Sequence, residues 1–262
     1  MKITIIISYY KAIENLFLIL NALDLQSNKD FEVIISEDDF NKETTAFLEK
    51  HSSSYNLKIQ HIFQEKDNGF RKNTMLNKAI LKSKTDYLVF IDGDCIPHQH
   101  FVKEYQKNLT NGFLFIGRAV MLDKKLSVLV KQKKTIAKLN LLSIFLSDSK
   151  SKKNAIYFPY FKLSLKTGNL IGRNWGIHKQ HLIDINGFNN NYIYAGVGED
   201  VDIEWRLLEN GIKQKSIKNK SIVYHLHHKK VYSELNVTKN YKLLEDNKKT
   251  NAIYCLNGLN QI

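Results

Sequence analysis

Cysteine and proline are scarce in this chain of 262 residues, which contains two of each. Cys95 and Cys255 are far apart in the sequence, and neither belongs to a C-x-x-C pair. This excludes a small disulfide-stabilised scaffold and is typical of proteins from a reducing compartment. With two prolines and 12 glycines, the sequence also gives no sign of a low-complexity linker.

Long apolar runs are absent as well, because the run that begins at Ile3 stops at Ser8. A membrane-spanning helix needs about 20 apolar residues, and a secretory signal peptide also needs a longer run than this one. We therefore expect a cytoplasmic protein, with contact to the inner membrane surface left open.

Acidic residues are fewer than basic ones. The chain has 26 Asp and Glu residues and 39 Lys and Arg residues, which gives a formal net charge of +13. Three explanations stay open, namely an overall composition rich in Lys, Asn and Ile, an anionic lipid surface, or a polyanionic substrate. Nucleic acid is not expected as a partner, because no nucleic-acid-binding module is recognisable. Hydrophobic residues at 43% and aromatic residues at 11% indicate a folded globular protein of one large domain or two small ones.

The first third of the chain alternates between strand and helix patterns. Strands are predicted at residues 3–8, 31–36, 58–63 and 87–91, and helices at 13–25 and 71–83. This β-α-β-α-β series predicts an α/β fold with a mostly parallel central sheet flanked by helices. Ligands of such sheets bind beyond the carboxyl ends of the strands, so the polar residues that follow the strands are candidates for a site.

Polar residues of this kind follow three of the strands. They are Ser8, Tyr9 and Tyr10, then Asp38 and Asp39, then Asp92, Gly93 and Asp94. Each group alone has an ordinary explanation, because Asp, Gly and Ser are common turn residues. Together, at corresponding ends of one sheet, they predict a ligand site.

Asp92-Gly93-Asp94 has the most specific chemistry of the three groups. Two carboxylates two residues apart can hold a hard divalent cation such as Mg²⁺ or Mn²⁺, while Gly93 lets another group approach closely. A cation with open positions can in turn bind a diphosphate. Arg71, at a predicted helix start beside a glycine-containing turn, either suits phosphate binding or is an ordinary surface residue.

Residues 111–165 show a less regular pattern. A lysine-rich stretch at 124–138 precedes an apolar cluster at 139–146. Two interpretations stay open: a packed helix or cover over the site, and a basic amphipathic element that contacts an anionic membrane.

Residues 168–211 are more informative, and Gly198-Glu199-Asp200 opens a predicted helix there. Acidic residues at a helix start either cap the first turn and complement the helix dipole, or bind a hydroxyl and remove its proton. Further on, a strand predicted at 220–224 leads to His225, which suits a third cation ligand. His227 is the competing candidate.

In this order the motifs resemble those of family-2 glycosyltransferases with the GT-A fold, over nearly the whole of residues 2–228. The matching segments are Thr4 to Tyr10, Val33 to Asp39, Phe70 and Arg71 with Leu76 to Ala79, and Asp92 to Asp94. The stretch from His178 to Tyr192, closing with Gly198 to Asp200, is similar to β-1,4-galactosyltransferases and to related bacterial capsule enzymes.

The resemblance implies a single Rossmann-like GT-A domain over residues 1–228. Its nucleotide-sugar-binding half would be residues 1–110, and its acceptor-binding and catalytic half residues 111–228, with a C-terminal helical extension at 229–262. Asp200 would be the catalytic base, and Asp94 and His225 the ligands of Mn²⁺ or Mg²⁺. The expected donor contacts are Ser8, Tyr10, Asp38, Asp39, Arg71, Asp92 and Gly93, and the expected acceptor contacts are Glu199, Trp175 and Tyr194.

The implied function is inverting transfer of a hexose from a UDP-sugar to a hydroxyl of a glycan or glycolipid acceptor. Galactose or N-acetylgalactosamine is favoured, and bacterial capsule or lipooligosaccharide synthesis is the expected setting. One rival is a nucleotidyltransferase that makes sugar nucleotides, although no Gly-rich loop with a basic residue follows the first strand. Another is a non-catalytic module that binds glycan or polyanion, which would not need both acidic motifs.

Overall fold

The strands of the computed structural model, which describes residues 1–161, 167–196, 198–229 and 232–262, form two sheets. The main sheet contains β1 (Ile3–Tyr9), β2 (Phe31–Glu37), β3 (Lys58–Phe63), β4 (Tyr87–Asp92), β6 (Phe113–Ile116), β8 (Asn174–His178) and β9 (Lys213–Ser216). The small sheet contains β5 (Cys95–Pro97), β7 (Arg118–Met121) and β10 (Ile222–His225).

The main sheet has the order β3-β2-β1-β4-β8-β6-β9 and is mostly parallel. β8 is antiparallel to both of its neighbours, whereas β3, β2, β1 and β4 pair in parallel, as do β6 and β9. The four strands predicted in the first third are confirmed, each within one residue at either end. β8 was not predicted, because its short sequence Asn-Trp-Gly-Ile-His has a glycine at its centre and no run of β-branched residues.

Helices cover both faces of the main sheet, as the alternating pattern predicts. They are α1 (Ile13–Asp24), α2 (Lys42–His51), α3 (Lys72–Lys82), α4 (Phe101–Asn108), α5 (Lys124–Gln132), α6 (Leu141–Leu146), α7 (Lys179–Asp184), α8 (Glu199–Glu209) and α9 (Glu234–Lys249). Ile5 and Ile7 of β1 belong to a core that includes residues of α1, α4 and α5. Ile6 points to the opposite face and packs with residues of α3 and α8. Burial on both faces explains why β1 is a run of isoleucines.

The small sheet lies beyond the end of β4 and has the order β5-β10-β7. β10 pairs antiparallel with β5 and parallel with β7. This register sets His225, the last residue of β10, opposite Cys95 of β5 and Met121 of β7. Because Cys95 directly follows Asp94, the small sheet brings a histidine from late in the chain to the acidic motif that follows β4.

The C-terminal residues pack back onto the turn that follows α7. Asn186 donates a side-chain hydrogen bond to the Cys255 carbonyl (2.7 Å), and Asn190 donates one to the Gly258 carbonyl (3.1 Å). Within the described ranges, no helix is both long enough and apolar enough to cross a membrane.

Candidate active site

The strand ends that the sequence singles out meet at one edge of the main sheet. Ser8 of β1 lies in register with Asp92 of β4. The Asp38 backbone N–H donates to the Tyr9 carbonyl (2.8 Å), and the Gly93 backbone N–H donates to the Ser8 carbonyl (2.6 Å). The polar residues of all three strand ends therefore lie side by side, as expected for parallel strands.

Three cavities open at this edge, and Ser8 contributes to the wall of each. The carboxylate cavity is lined by residues that include Lys72, Asp92, Trp175, Glu199 and Asp200. The histidine cavity, of about 290 Å³, is lined by residues that include Asp92, Asp94, Lys131, His227 and His228. The aromatic cavity, of about 390 Å³, is lined by residues that include Tyr9, Tyr10, Asp38, Phe70 and Lys72. Since neighbouring cavities share wall residues, they adjoin one another along the sheet edge.

Gly93 is needed because two strands come very close at this point. A Cβ atom on Gly93 would lie 2.8 Å from the Ser8 carbonyl oxygen and 3.2 Å from the Tyr9 Cα. A side chain here would push the acidic motif away from β1. Gly93 thus holds Asp92 and Asp94 against the end of β1.

Lys72, in the first turn of α3, connects the acidic motifs of the two halves of the chain. Its ammonium lies 3.1 Å from a carboxylate oxygen of Asp92 and 3.7 Å from one of Glu199. Burial alone would lower the pKa of Lys72, but the two carboxylates raise this pKa above its ordinary value. The carboxylate cavity therefore contains a permanent positive charge between acidic groups.

Glu199 and Asp200 face the carboxylate cavity from the N-terminus of α8. Burial raises the pKa of Glu199 to about 7, although the positive charge of Lys72 acts in the opposite direction. Asp200 accepts hydrogen bonds from the backbone N–H of Gly172 (3.3 Å) and of Val201 (2.9 Å). These bonds orient a carboxylate at the cavity wall, where it can accept a proton from a bound hydroxyl.

The turn before α8 depends on Gly198. Its φ angle of 131° is strained for any other residue, and a Cβ atom there would lie 2.9 Å from the Tyr192 ring. The turn therefore fixes the point at which α8 begins, and with it the positions of Glu199 and Asp200.

Asp94 lies in a cluster with two histidines. Its carboxylate is 3.4 Å from His225 Nε2 and 3.1 Å from His228 Nε2, and the Cys95 thiol donates to it over 3.4 Å. Burial acts to raise the pKa of Asp94, but the two histidines lower it overall. The hydrogen bond to Asp94 raises the pKa of His228 to about 9, whereas burial lowers the pKa of His225.

This cluster fits a divalent cation. One oxygen, nitrogen or sulfur atom each from Asp94, Cys95 and His225 lies within 4.8 Å of the others. A carboxylate and imidazoles are ordinary ligands of first-row divalent metals. Burial raises the pKa of the Cys95 thiol well above its ordinary value, so the thiol is protonated in the cation-free protein.

Asp38 occupies the wall of the aromatic cavity and organises the loop before α3. Its carboxylate accepts the Arg71 backbone N–H (3.0 Å) and the Gln64 side-chain amide (2.7 Å). Burial raises the pKa of Asp38 to about 6. Its neighbour Asp39 is buried and pairs with the Lys11 ammonium at 3.3 Å.

Three of the predicted contact residues occupy positions that sequence alone could not specify. The Arg71 guanidinium donates to the Phe70 carbonyl (2.8 Å), so it turns back onto its own loop. Trp175 is buried and stacks on Phe90 with ring centroids 4.2 Å apart, beneath the carboxylate cavity. The Tyr194 ring lies 4.6 Å from the Lys239 ammonium of α9.

Sequence reasoning missed three residues that line the cleft. Lys72 is adjacent to the predicted Arg71, and the helix-start pattern alone does not distinguish the two. His228, and not the expected competitor His227, forms the second histidine contact of Asp94, although His227 also lines the histidine cavity. Lys131 belongs to the lysine-rich stretch that was interpreted in part as a cover over the site.

Two family models match the sequence. The model of glycosyl transferase family 2 matches residues 4–185, and the model described as the N-terminal domain of galactosyltransferase matches residues 152–229. The comparison with curated proteins gives no match.

Solved glycosyltransferase structures have the same fold. TarS from S. aureus is 17% identical with a TM-score of 0.61, and the alignment covers 94% of this chain and 39% of TarS. The mannosyltransferase PcManGT from Pyrobaculum calidifontis, in complex with GDP-Man and Mn²⁺, is 12% identical with a TM-score of 0.63 and coverages of 95% and 64%. GalNAc-T7 with UDP, GalNAc and Mn²⁺ is 12% identical with a TM-score of 0.64 and coverages of 93% and 47%.

This chain therefore spans less than two thirds of each of those proteins. At such low identity the likeness establishes the fold, which is GT-A, and the sequence match establishes the family. Because the family-2 model matches more than half of the chain, this protein belongs to glycosyl transferase family 2.

Proposed function

We propose that this glycosyltransferase moves a hexose from a UDP-sugar to a hydroxyl of a glycan or glycolipid acceptor, with inversion at the anomeric carbon and with help from a divalent cation. One observation carries the proposal. Asp200 and Glu199 line the same cavity as Asp92, and the cation-binding cluster around Asp94 lies directly beyond Asp92. The proposed base and the proposed cation site thus flank one sheet edge.

The donor would extend across the three cavities. The aromatic cavity, with Tyr10, Phe70 and the carboxylate of Asp38, suits a nucleotide base that stacks and donates an N–H. The diphosphate would lie between Asp94 and the ammonium of Lys131 at the histidine cavity. The sugar would then reach the carboxylate cavity beside Asp92. The GalNAc-T7 structure contains UDP and the PcManGT structure contains GDP-Man, which supports a nucleotide-linked sugar as the class of donor.

The cation would be held by Asp94 and His225, with His228 as a further ligand once it loses its proton. When bound, the cation would neutralise negative charge on the departing diphosphate. Imidazole ligands favour Mn²⁺ over Mg²⁺, because Mg²⁺ binds through oxygen atoms and retains its water molecules. Mn²⁺ is also the ion present in the PcManGT and GalNAc-T7 structures.

Asp200 would act as the base in a single displacement. Its carboxylate takes the proton of the acceptor hydroxyl while that oxygen bonds to the anomeric carbon, and the bond from that carbon to the UDP oxygen breaks with its electron pair going to UDP. Attack from the face opposite UDP inverts the anomeric configuration. Glu199 would hold an acceptor hydroxyl, and Lys72 keeps the neighbouring carboxylates in place.

Galactose or N-acetylgalactosamine is the preferred sugar in this proposal, on the strength of the match to the galactosyltransferase model. The bacterial capsule or lipooligosaccharide setting, the cytoplasmic location and the division into halves at residue 110 with an extension after residue 228 stay predictions. Tyr194 and Trp175 likewise stay predicted acceptor contacts, and Ser8, Asp39 and Arg71 predicted donor contacts.

A panel of nucleotide sugars tests the proposal. The chain is incubated with each UDP-sugar in the presence of Mn²⁺, Mg²⁺ or EDTA, and both UDP and pyrophosphate are assayed. UDP release from one donor that requires the cation supports the proposal and identifies the sugar. Pyrophosphate release would instead support the nucleotidyltransferase, and glycan binding without any turnover would support the binding module.

A further inference from the structure

Residues 124–153, which include α5 and α6, carry most of the net charge of the chain. They contain nine lysines and a single acidic residue, Asp148, so their charge is +8 of the total of +13. Seven of these lysines are exposed. A bias in overall composition would spread the charge along the sequence, and this concentration in 30 residues is therefore a local feature.

α6 exposes a set of large apolar side chains within this basic region. Leu142 is 71% exposed and Leu146 is 79% exposed, with Leu141 and Phe145 at 48% and 46%. Ile144 is fully buried and packs into the apolar core, so it attaches α6 to the protein. At 100° per residue, the four exposed side chains fall on one side of the helix and Ile144 on the other.

Hydrogen bonds hold α6 in this orientation. Asp123 accepts the backbone N–H of Leu126 at the start of α5 (2.9 Å) and that of Asp148 just after α6 (3.1 Å). The Lys152 ammonium donates to the Phe145 carbonyl near the end of α6 (3.2 Å). Because both ends of the segment are tied to Asp123, the exposed leucines are part of the folded structure.

We propose that this face binds the surface of an anionic lipid bilayer. The α6 surface comprises Leu141, Leu142, Phe145 and Leu146 with the exposed lysines Lys133, Lys134, Lys138 and Lys150. Leucine and phenylalanine side chains enter the boundary between headgroups and acyl chains, while lysines extend their ammonium groups to anionic headgroups. Charge complementarity selects this occupant, because nine of the ten charged residues in 124–153 are lysines.

The α6 surface is close to the cleft. Leu141 and Ile136 line a cavity together with Pro97 of β5 and His98. β5 begins immediately after Asp94, so a bilayer bound at α6 would lie on the side of the protein that carries the small sheet. An acceptor anchored in that bilayer would thus be held near the reaction site.

The α5 stretch itself has a different role. Leu126 and Val130 are buried in the core, and Lys131 lines the histidine cavity. The two interpretations of residues 124–146 are therefore combined in the proposal: α5 is a packed cover, and α6 is the membrane-contacting element.

Vesicle co-sedimentation of the full chain tests the proposal. Vesicles of phosphatidylcholine with about 30% phosphatidylglycerol are compared with phosphatidylcholine alone, at low and high salt. The chain should bind only the anionic vesicles, and high salt should release it. Leu142→Ser with Leu146→Ser should weaken binding at least tenfold, and Lys133→Gln with Lys134→Gln about fivefold per lysine.

Matched control variants lie at the other end of the chain. Leu256 is 86% exposed, and Lys248 and Lys249 are exposed, so Leu256→Ser and the Lys248→Gln, Lys249→Gln pair should bind vesicles like the wild type. No wild-type binding to anionic vesicles, or an equal loss in the control variants, would overturn the proposal. So would a dimer in sedimentation velocity that dissociates in the leucine variant, because the α6 surface would then be a protein interface.

An assay of UDP release from a soluble donor distinguishes failure of the membrane-binding proposal from failure of the proposed glycosyl transfer. The leucine and lysine variants of the α6 surface should retain wild-type donor hydrolysis, since none of their side chains lines the cleft. Vesicle binding that persists in a chain with no turnover would contradict the proposed function alone.

Discussion

The ammonium of Lys72 and the carboxylate of Glu199 form an ion pair of 3.7 Å that joins α3 to α8 across the carboxylate cavity. α3 follows the third strand of the chain, whereas α8 begins more than a hundred residues later. The same ammonium lies 3.1 Å from Asp92. Lys72 therefore couples the position of the predicted donor motif to that of the predicted base motif.

Replacement of Lys72 by Met should reduce kcat/KM by about 100-fold or more, because loss of one positioned charge in an active site typically has this effect. Lys72→Arg should recover part of the activity, since it keeps the charge. Lys82→Met is the matched control, because Lys82 is exposed on the same helix. If Lys72→Met kept kcat/KM within threefold of the wild type, the bridging role would be wrong.

The buried carboxyl of Glu199 should make stability depend on pH. Burial raises its pKa from 4.5 to about 7, so the folded state favours the protonated form. The stability that this preference contributes is fully present below pH 4.5 and is lost as the pH rises to about 7. The wild type should therefore lose about 3 kcal/mol relative to Glu199→Gln over this range.

Urea unfolding of both proteins at about pH 5 and about pH 8 measures this difference. Other titrating groups are shared by the two proteins and largely cancel in the comparison. A difference in unfolding free energy that stays constant with pH would show that Glu199 has an ordinary pKa in the folded protein.

The histidines of the Asp94 cluster can be distinguished by cation binding. His225→Asn and His228→Asn should each weaken Mn²⁺ binding at least tenfold, because each removes an imidazole that contacts Asp94 and is a proposed ligand. His227→Asn should have a much smaller effect, because it leaves in place both imidazoles that contact Asp94, those of His225 and His228. Calorimetry with Mn²⁺ and UDP gives the affinities, and a larger loss in His227→Asn than in His228→Asn would reverse the assignment.

Much of the fold was predictable because its signal is local. Apolar runs such as Ile5 to Ile7 have the pattern of strands buried on both faces. These runs identify the strands that form the parallel part of the main sheet. The convergence of Ser8 and Asp92 followed from topology alone. β8 could not be predicted in this way, because its stability comes from pairing with β4 and β6.

The site was predictable only where a motif determines it. Asp92, Asp94 and the segment before α8 carry recognisable spacing, but the contacts of Lys72 and His228 depend on packing between distant elements. Arg71 and Lys72 are adjacent at a helix start, and the helix phase decides which one faces the cavity. The sequence therefore indicates the class of chemistry, whereas the tertiary structure determines which side chains face the cleft.

Asp202 provides a contrast with the neighbouring Asp200 on the same helix. Its carboxylate pairs with the Arg206 guanidinium at 2.8 Å, and both side chains are almost fully buried. Asp202→Asn should destabilise the protein by about 3 kcal/mol, because it removes the carboxylate that balances the buried arginine charge and leaves only the carbonyls of Ile185 and Gly187 as acceptors. Thermal unfolding measures the change, and a melting temperature equal to that of the wild type would contradict this structural role.

The most direct test of the account compares Asp200→Asn with the wild type on the donor that responds in the UDP-release assay, with UDP affinity measured on the same samples. We predict that kcat falls by about a thousandfold or more while UDP binds with unchanged affinity in the presence of Mn²⁺, because the asparagine keeps the shape of the side chain and cannot accept the hydroxyl proton. Turnover retained near the wild-type rate would contradict the central claim that Asp200 is the base of an inverting transfer.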